Sequence, residues 1–306
     1  MNELLTCEGL TKSYQKGTNA LDDIELHIGF GRIVGLLGPN GSGKTTLIKL
    51  ANGLLVPSSG TVTIDGHTPG PETKGLISYL PERTYLSGWM NVVQLLDFFG
   101  DFYPDFDRDA AEHMLSALDV SPRLRIKQMS KGTREKVQLI LVMSRRARLY
   151  LLDEPIGGVD PATRDYIIHT ILTNYNENAS LVISTHLIAD VENVLDDVIF
   201  INKGRVLLQQ SVDQIRQEKG CSVDELFREV FRYAEIRVPG HRAHHAAGIR
   251  PAAGDGRRHQ RHRLPDGPLS REHGPVHFPD AVYDAVRLHH LRRAAADPGA
   301  DGVPVL

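Results

Sequence analysis

The stretch Gly38–Thr45 constrains this chain more than any other part of its 306 residues. It reads Gly-Pro-Asn-Gly-Ser-Gly-Lys-Thr and matches the pattern G-x-x-x-x-G-K-[ST]. The apolar run 33–37 before it predicts a buried strand, and residues 46–50 after it can continue as a helix. In that setting the backbone N–H groups of the loop can turn toward phosphate oxygens. The stretch therefore predicts a site for a nucleoside triphosphate.

The side chains of this loop have separate chemical tasks. Lys44 can neutralise the β- and γ-phosphates, and the hydroxyl of Thr45 can ligate Mg²⁺. The competing interpretation is a glycine-rich turn that binds no ligand. It becomes less favoured when other nucleotide-binding motifs occur elsewhere in the chain. We expect the whole loop to contact the nucleotide: Gly38, Pro39, Asn40, Gly41, Ser42, Gly43, Lys44, Thr45 and Thr46.

The composition allows one large domain or two small ones. Hydrophobic residues make up 41 % and charged residues 24 % of the chain, which is ordinary for a soluble protein. We see no run of 18 or more apolar residues and no basic-then-apolar leader, so we expect a cytosolic protein without a membrane span. Cys7 and Cys221 lie far apart, which favours neither a disulfide framework nor a zinc site.

The composition changes abruptly near residue 235. Residues 1–235 carry 24 basic and 31 acidic side chains, whereas residues 236–306 carry 11 arginines, 7 acidic residues and no lysine. The second segment is rich in Arg, His, Pro and Gly, so it buries too little apolar surface to offset the entropy of ordering, and we expect it to be disordered. A reading-frame shift after Tyr233 would produce this composition, and a regulatory tail is the alternative.

The apolar pattern predicts an α/β fold with an antiparallel β piece before the loop and a helical insert over about 84–146. Within the insert, Ser130 is expected to cap a helix. Strand-like segments occur at 4–10, 20–28, 61–66, 76–80, 149–152, 181–186 and 198–209, and a last helix is predicted at 223–233. Six aromatic residues of the insert are interpreted as core, the alternative being a groove for a partner's helix: Trp89, Phe98, Phe99, Phe102, Tyr103 and Phe106.

Acidic and basic side chains follow two of the predicted buried strands. Asp153 and Glu154 come directly after the run 149–152, and His186 ends the next apolar strand. Buried strands of a nucleotide-binding sheet deliver such groups at their carboxyl ends. For each of the three, the alternative is a purely structural role, in which the buried polar group is hydrogen-bonded within the protein.

These motifs and their order resemble those of the ATP-binding subunit of an ABC transporter over about residues 4–233. The resemblance implies a P-loop NTPase core of ABC type with an antiparallel β subdomain and a helical insert. It places the Walker B strand on 149–153, the D-loop on Gly158–Asp160 and the switch histidine on His186. Tyr14 falls on the aromatic position that stacks on adenine, with packing at a strand end as the alternative.

The resemblance also implies a division of roles in ATP hydrolysis. Glu154 would polarise the attacking water, His186 would contact the γ-phosphate or orient that water, and Lys44 would supply positive charge. Mg²⁺ would be held by Thr45, Asp153 and Glu82. Further nucleotide contacts are implied for Tyr14, Ser130, Lys131, Gly132 and Asp160.

Two positions depart from the usual family pattern. The signature, most often Leu-Ser-Gly-Gly-Gln, reads Met-Ser-Lys-Gly-Thr over Met129–Thr133, where Lys131 can add a cation at the γ-phosphate. Glu82 stands where the family commonly has a glutamine, and it adds negative charge near the phosphates and Mg²⁺. We expect a functional site with altered turnover or coupling.

The family implies partners as well. Two chains, a homodimer or a pair of closely related ATPase subunits, would clamp ATP between them at the cytoplasmic face of the membrane. A separate transmembrane permease would carry the substrate, with export as the favoured direction. A non-transport ATPase acting on nucleic acid or the ribosome is the alternative, although the single cassette and short insert argue against it. The tail lacks lysines and interleaved aromatics, so we expect no nucleic-acid partner.

Overall fold

The computed structural model of the protein describes residues 3–15, 17–118, 120–176 and 178–236. Within them the strands are β1 (Glu3–Gln15), β2 (Thr18–Gly29), β3 (Ile33–Leu37), β4 (Ser59–Ile64), β5 (Ile77–Leu80), β6 (Leu149–Asp153), β7 (Ser180–Thr185), β8 (Asp197–Asn202) and β9 (Arg205–Ser211). The helices are α1 (Lys44–Ala51), α2 (Pro71–Leu76), α3 (Val92–Phe102), α4 (Arg108–Ala117), α5 (Lys131–Met143), α6 (Pro161–Asn174), α7 (Val212–Lys219) and α8 (Val223–Ile236). Apart from Ile236, the predicted disordered or frameshifted segment lies outside the described residues.

The strands form two sheets. A small antiparallel sheet has the order β2-β1-β4, and a six-stranded sheet has the order β5-β6-β7-β3-β8-β9. The larger sheet is parallel except for the β8–β9 hairpin. The sequence predicts the antiparallel piece before the loop; the structure adds β4, which follows the loop, to that small sheet.

The parallel strands are buried on both faces, which explains their unbroken apolar sequences. Every residue of β3, β6 and β7 is buried. One face packs against α6 and α8, and the other packs against α1 and the small sheet. Since neighbouring parallel strands end at the same edge, the segments after β3, β6 and β7 converge there.

The insert consists of α3, α4 and α5 around a core of its own. The sequence places the first helix from about Thr84, but α3 begins at Val92 because Asn91 caps it. The Asn91 side chain accepts a hydrogen bond from the Gln94 N–H at 2.9 Å, and the Asn91 N–H donates to Oε1 of Gln94 at 3.0 Å. Ser130 caps α5 as predicted, accepting from the Thr133 N–H at 3.1 Å.

The interpretation of all six insert aromatics as core is wrong for three of them. Phe99 is buried among α3, α4 and α5, but Trp89, Phe98 and Phe102 are 65 %, 43 % and 66 % exposed. Phe98 and Phe102 stand four residues apart on the outer face of α3, and their ring centroids lie 4.5 Å apart. The face of α3 that carries Leu95, Leu96 and Phe99 is turned toward the insert core, which leaves Phe98 and Phe102 on the outer face.

One buried arginine joins the insert to the large sheet. Arg145 donates to both carboxylate oxygens of Asp105 at 3.0 Å, and to the backbone oxygens of Ile77 at 2.6 Å and Gly75 at 3.1 Å. Its guanidinium carbon lies 3.9 Å from the centroid of the Tyr103 ring, and the residue is only 4 % exposed. The arginine thereby holds α3 and the loop after it against β5.

Two helices were not anticipated from the sequence. Helix α2 has only six residues, which is too short to show a helical period. Helix α7 follows β9 without a Gly or Pro between them, and Ser211, the last residue of the strand, caps the helix by accepting from the Gln214 N–H at 3.2 Å. Neither helix contributes a predicted site residue.

Candidate active site

The loop after β3 is fixed by close backbone packing. A Cβ at Gly38 would overlap the Ile201 backbone oxygen of β8, so only glycine fits there. Gly43 has φ +115°, and a Cβ there would come within 2.8 Å of the Ala20 backbone oxygen. The glycines of the motif therefore let the loop lie directly on β2 and β8.

Lys44 reaches back across the loop that it follows. Its ammonium group donates to the Gly38 oxygen at 2.8 Å and to the Pro39 oxygen at 3.3 Å. It also lies 3.3 Å from a carboxylate oxygen of Glu154. At 5 % exposure, this lysine is a desolvated positive charge at the mouth of the loop, the arrangement that favours an anionic phosphate.

Asp153 is buried at the end of β6. One carboxylate oxygen accepts from the Thr45 hydroxyl at 3.1 Å and from the Ser184 hydroxyl at 2.7 Å. Burial raises the pKa of Asp153; its hydrogen bonds oppose this shift, and the nearby charges of Glu82 and Glu154 add to it. The second carboxylate oxygen has no hydrogen-bond partner among the described residues.

These groups fit a magnesium ion. The free oxygen of Asp153 and the hydroxyl of Thr45 are hard oxygen donors, and Glu82 lines the same cavity as the loop. Mg²⁺ in phosphate-transfer sites takes one or two carboxylates and completes its shell with phosphates and water. In the described part of the chain no cluster of three or more His, Cys, Asp or Glu could hold a metal ion.

Glu154 occupies a backbone conformation that is uncommon outside glycine. Its φ is +51°, and its N–H is fixed by the backbone oxygen of Ser184 at 3.0 Å and by the hydroxyl of the same residue at 3.1 Å. One carboxylate oxygen lies 3.0 Å from Nδ1 of His186, and the other faces Lys44. Strain of this kind is concentrated at functional sites.

The remaining predicted contacts lie farther out. The Tyr14 ring is exposed, with its hydroxyl 3.4 Å from the Thr46 hydroxyl and the Lys12 ammonium 5.7 Å from its centroid. Asp160 caps α6 by accepting from the Thr163 hydroxyl at 2.8 Å and N–H at 3.0 Å, and these bonds lower the pKa of Asp160.

Two neighbouring cavities collect most of the predicted residues. The smaller, of about 280 Å³, is lined by Ala20, the loop 40–46, Glu82 and Glu154. The larger, of about 580 Å³, is named the cleft below and is lined by Asn40, Glu82, Arg83, Thr84, Lys131, Arg134, Glu135, Glu154, Gly157, Gly158 and His186. Seven predicted site residues line neither cavity: Tyr14, Gly38, Pro39, Ser130, Gly132, Asp153 and Asp160.

Sequence reasoning missed several residues of this site. Ser184 holds both Asp153 and the backbone of Glu154, and its only signal was a hydroxyl two residues before His186 in an apolar strand. Arg134 and Glu135 line the cleft although they lie outside the five-residue signature. Arg83 was a loop residue without a pattern.

Comparison with known proteins identifies the family. The family described as "ABC transporter" matches residues 21–157. The ABC transporter ATP-binding protein YdbJ of Bacillus subtilis (strain 168) is 33 % identical over 233 residues, covering 73 % of this chain and 74 % of the relative. The chain belongs to the ABC transporter ATP-binding proteins. As a member of this family it binds ATP and is an ATP hydrolase.

Further comparisons agree with this assignment. The SkfA peptide export ATP-binding protein SkfE of Bacillus subtilis (strain 168) is 29 % identical, covering 71 % of this chain and 92 % of the relative. A solved ATP-binding subunit of an ABC transporter superposes with a TM-score of 0.67 at 28 % identity, covering 74 % of this chain and 99 % of the other. The fold class predicted from the sequence is confirmed. Among the described residues, no helix has the length and apolarity that a membrane crossing requires.

Proposed function

We propose that this ATPase subunit acts at the cytoplasmic face of a membrane and powers export through a separate permease. The observation that carries the proposal is an apolar groove of about 580 Å³ between the insert and the large sheet. Leu54, Tyr85 and Phe102 line it and are each more than half exposed. Exposed apolar side chains gathered in one groove are typical of a surface that receives a partner.

Within the ATPase cycle, Glu154 is proposed as the base that polarises the attacking water. Its carboxylate is held between Lys44 and His186, so its orientation is set before substrate arrives. His186 is proposed to orient that water or contact the γ-phosphate, and Lys44 to stabilise negative charge on it. Positioning and charge stabilisation account for most of the rate enhancement in phosphoryl transfer.

The metal proposal assigns Thr45, Asp153 and Glu82 to the ion. Mg²⁺, when bound, neutralises charge on the β- and γ-phosphates. One oxygen of Asp153 accepts hydrogen bonds from Thr45 and Ser184, and the other has no hydrogen-bond partner among the described residues and could ligate the ion. Tyr14 is proposed to stack on the adenine through its exposed ring.

Two chains are proposed to act together, as a homodimer or with a closely related subunit. Ser130 and Gly132 lie at the start of α5 and do not line the phosphate cavity of their own chain. Their hydroxyl and N–H groups, with the ammonium of Lys131, suit a phosphate supplied by a second subunit. Asp160, which caps a helix at its own D-loop, is proposed to lie at the same junction.

The export direction is supported by the similarity to SkfE, whose name records peptide export. The proposed association with a permease is tested by isolating the protein from its native membrane and identifying any hydrophobic subunit bound to it. Phe102→Asp and Tyr85→Asp should abolish that association, whereas Leu207→Asp should not, because Leu207 is an exposed apolar residue on β9 that lies outside the groove. Equal recovery of the hydrophobic subunit with all three variants would contradict the docking surface.

A further inference from the structure

Helix α5 presents a polar face to the cleft. Lys131 precedes Arg134 and Glu135 by three and four residues, and Gln138 follows them by four and three, which places all four on one side of the helix. The first three line the cleft. The opposite wall includes the segment 82–84, which contains Glu82, the residue that departs from the family pattern.

Three residues on this face carry buried polar atoms that lack a partner among the described residues. They are Nε of Arg134, Oε2 of Glu135 and Oε1 of Gln138. Buried polar atoms are ordinarily paired, because leaving them without a hydrogen bond costs free energy. Gln138 already reaches the opposite wall through a 3.5 Å hydrogen bond from Nε2 to the backbone oxygen of Pro81. The helix is therefore in contact with the residue that precedes Glu82.

The charges on the two walls are complementary. Arg134 is positive and faces a cleft that contains Glu82, while Glu135 is negative and shares that cleft with Arg83. Glu135 now pairs with Lys131 of its own helix at 3.6 Å, and Lys131 is largely exposed. That contact is easily exchanged, since exposed pairs along a helix contribute little.

We propose that Arg83, Arg134 and Glu135 are positioning residues for Glu82. When the cleft narrows, Arg134 donates to the Glu82 carboxylate and Arg83 donates to Glu135. Glu82 also lines the phosphate cavity, so these two pairs tie the position of the insert to the charge placed beside Lys44 and Asp153. This coupling rests on the proposed role of Glu82 at the metal and phosphates. The pair with Arg134 gives the Glu82 carboxylate a cationic partner, which a neutral glutamine at this position would not need.

A charge-reversal cycle tests the proposal with the full chain. Arg83→Glu and Glu135→Arg each place like charges across the cleft, so each should lower kcat for ATP hydrolysis by about tenfold while KM changes less than about twofold. The double variant restores opposite charges and should return kcat to within about threefold of the parent. The matched control is Glu112→Arg, which breaks an exposed ion pair with Arg108 in the same insert and should leave kcat unchanged.

The outcomes separate this proposal from the catalytic site itself. A double variant no faster than the slower single variant would overturn it, as would single variants with parental kcat. If a reversal prevents folding, the neutral variants Arg83→Gln and Glu135→Gln serve instead, and their double variant should be no slower than either single one. Independent effects that multiply would refute the pairing. Glu154→Gln is assayed alongside: loss of its hydrolysis supports the catalytic site whatever the cycle shows, and retention rejects that site alone.

Discussion

Replacing Arg145 with Ala should destabilise the folded chain by about 3 kcal/mol. The substitution removes the partner of the Asp105 carboxylate and two donors to the backbone oxygens of Ile77 and Gly75. Breaking a buried charge pair from one side costs about 3–5 kcal/mol, because the remaining charge is left uncompensated. The lower end applies here because Asp105 keeps about a quarter of its side chain in solvent, 24 %.

Urea unfolding measured by circular dichroism gives the free energy directly. With a slope near 3 kcal/mol per molar, a loss of about 3 kcal/mol moves the midpoint down by about 1 M. Arg146→Ala is the matched control. The Arg146 side chain is next to Arg145 in the sequence but makes one exposed ion pair, with Asp107, so the urea midpoint of this variant should equal that of the parent.

The double variant Arg145→Ala/Asp105→Ala identifies the source of the cost. Removing the stranded carboxylate should recover part of the lost stability, so the double variant should unfold at a higher urea concentration than Arg145→Ala alone. Equal midpoints for Arg145→Ala and Arg146→Ala would refute the reasoning, because the buried contacts of Arg145 would then stabilise the fold no more than the exposed ion pair of Arg146 does.

Four further changes have defined outcomes. Glu154→Gln should retain ATP binding but lower hydrolysis by about 10²–10⁴-fold, as measured by phosphate release; an undiminished rate would remove Glu154 from the mechanism. Lys44→Ala should weaken ATP binding by about 10- to 100-fold in a titration, since the phosphates lose a charged donor, and equal affinity would count against the site. Glu82→Gln should change the hydrolysis rate modestly while the melting temperature stays constant, and if no rate changes, Glu82 is only a loop residue. A chain ending at Ile236 should keep its melting temperature and ATPase rate, because the Arg-, His-, Pro- and Gly-rich composition of 237–306 predicts disorder; a clear loss of either would show that 237–306 pack on the cassette.

The sequence was most informative about residues whose chemistry requires a fixed residue type next to the end of a strand. Gly38, Lys44 and Asp153 were predictable because a phosphate loop and a buried acidic strand end each need fixed residue types at fixed spacing. The family order then placed Glu154 and His186 near one another, and the structure sets them 3.0 Å apart. Local patterns sufficed to place these residues because Gly38, Asp153, Glu154 and His186 stand at the ends of strands in one parallel sheet, and Lys44 begins the helix that follows the loop.

Contacts between distant segments could not be predicted in the same way. Arg145 bonds Ile77 from 68 positions away, and nothing in the composition around it distinguishes it from the exposed Arg146 beside it. The outward positions of Phe98 and Phe102 likewise depend on which face of α3 meets α4 and α5. Burial of a side chain is decided by packing, and an apolar residue type alone does not set it.

The central place of β3 also has a consequence for synthesis of the chain. This strand precedes the phosphate loop, yet it pairs with β7 and β8, which the ribosome begins about 140 and 160 residues later. At about 5–20 residues per second, the apolar strand waits roughly 7–30 s for its neighbours. During that interval its five buried-type residues are exposed in the nascent chain, where chaperones bind and aggregation begins. A transcript that ends before residue 197 therefore yields a product whose phosphate loop has no β8 backbone to lie on.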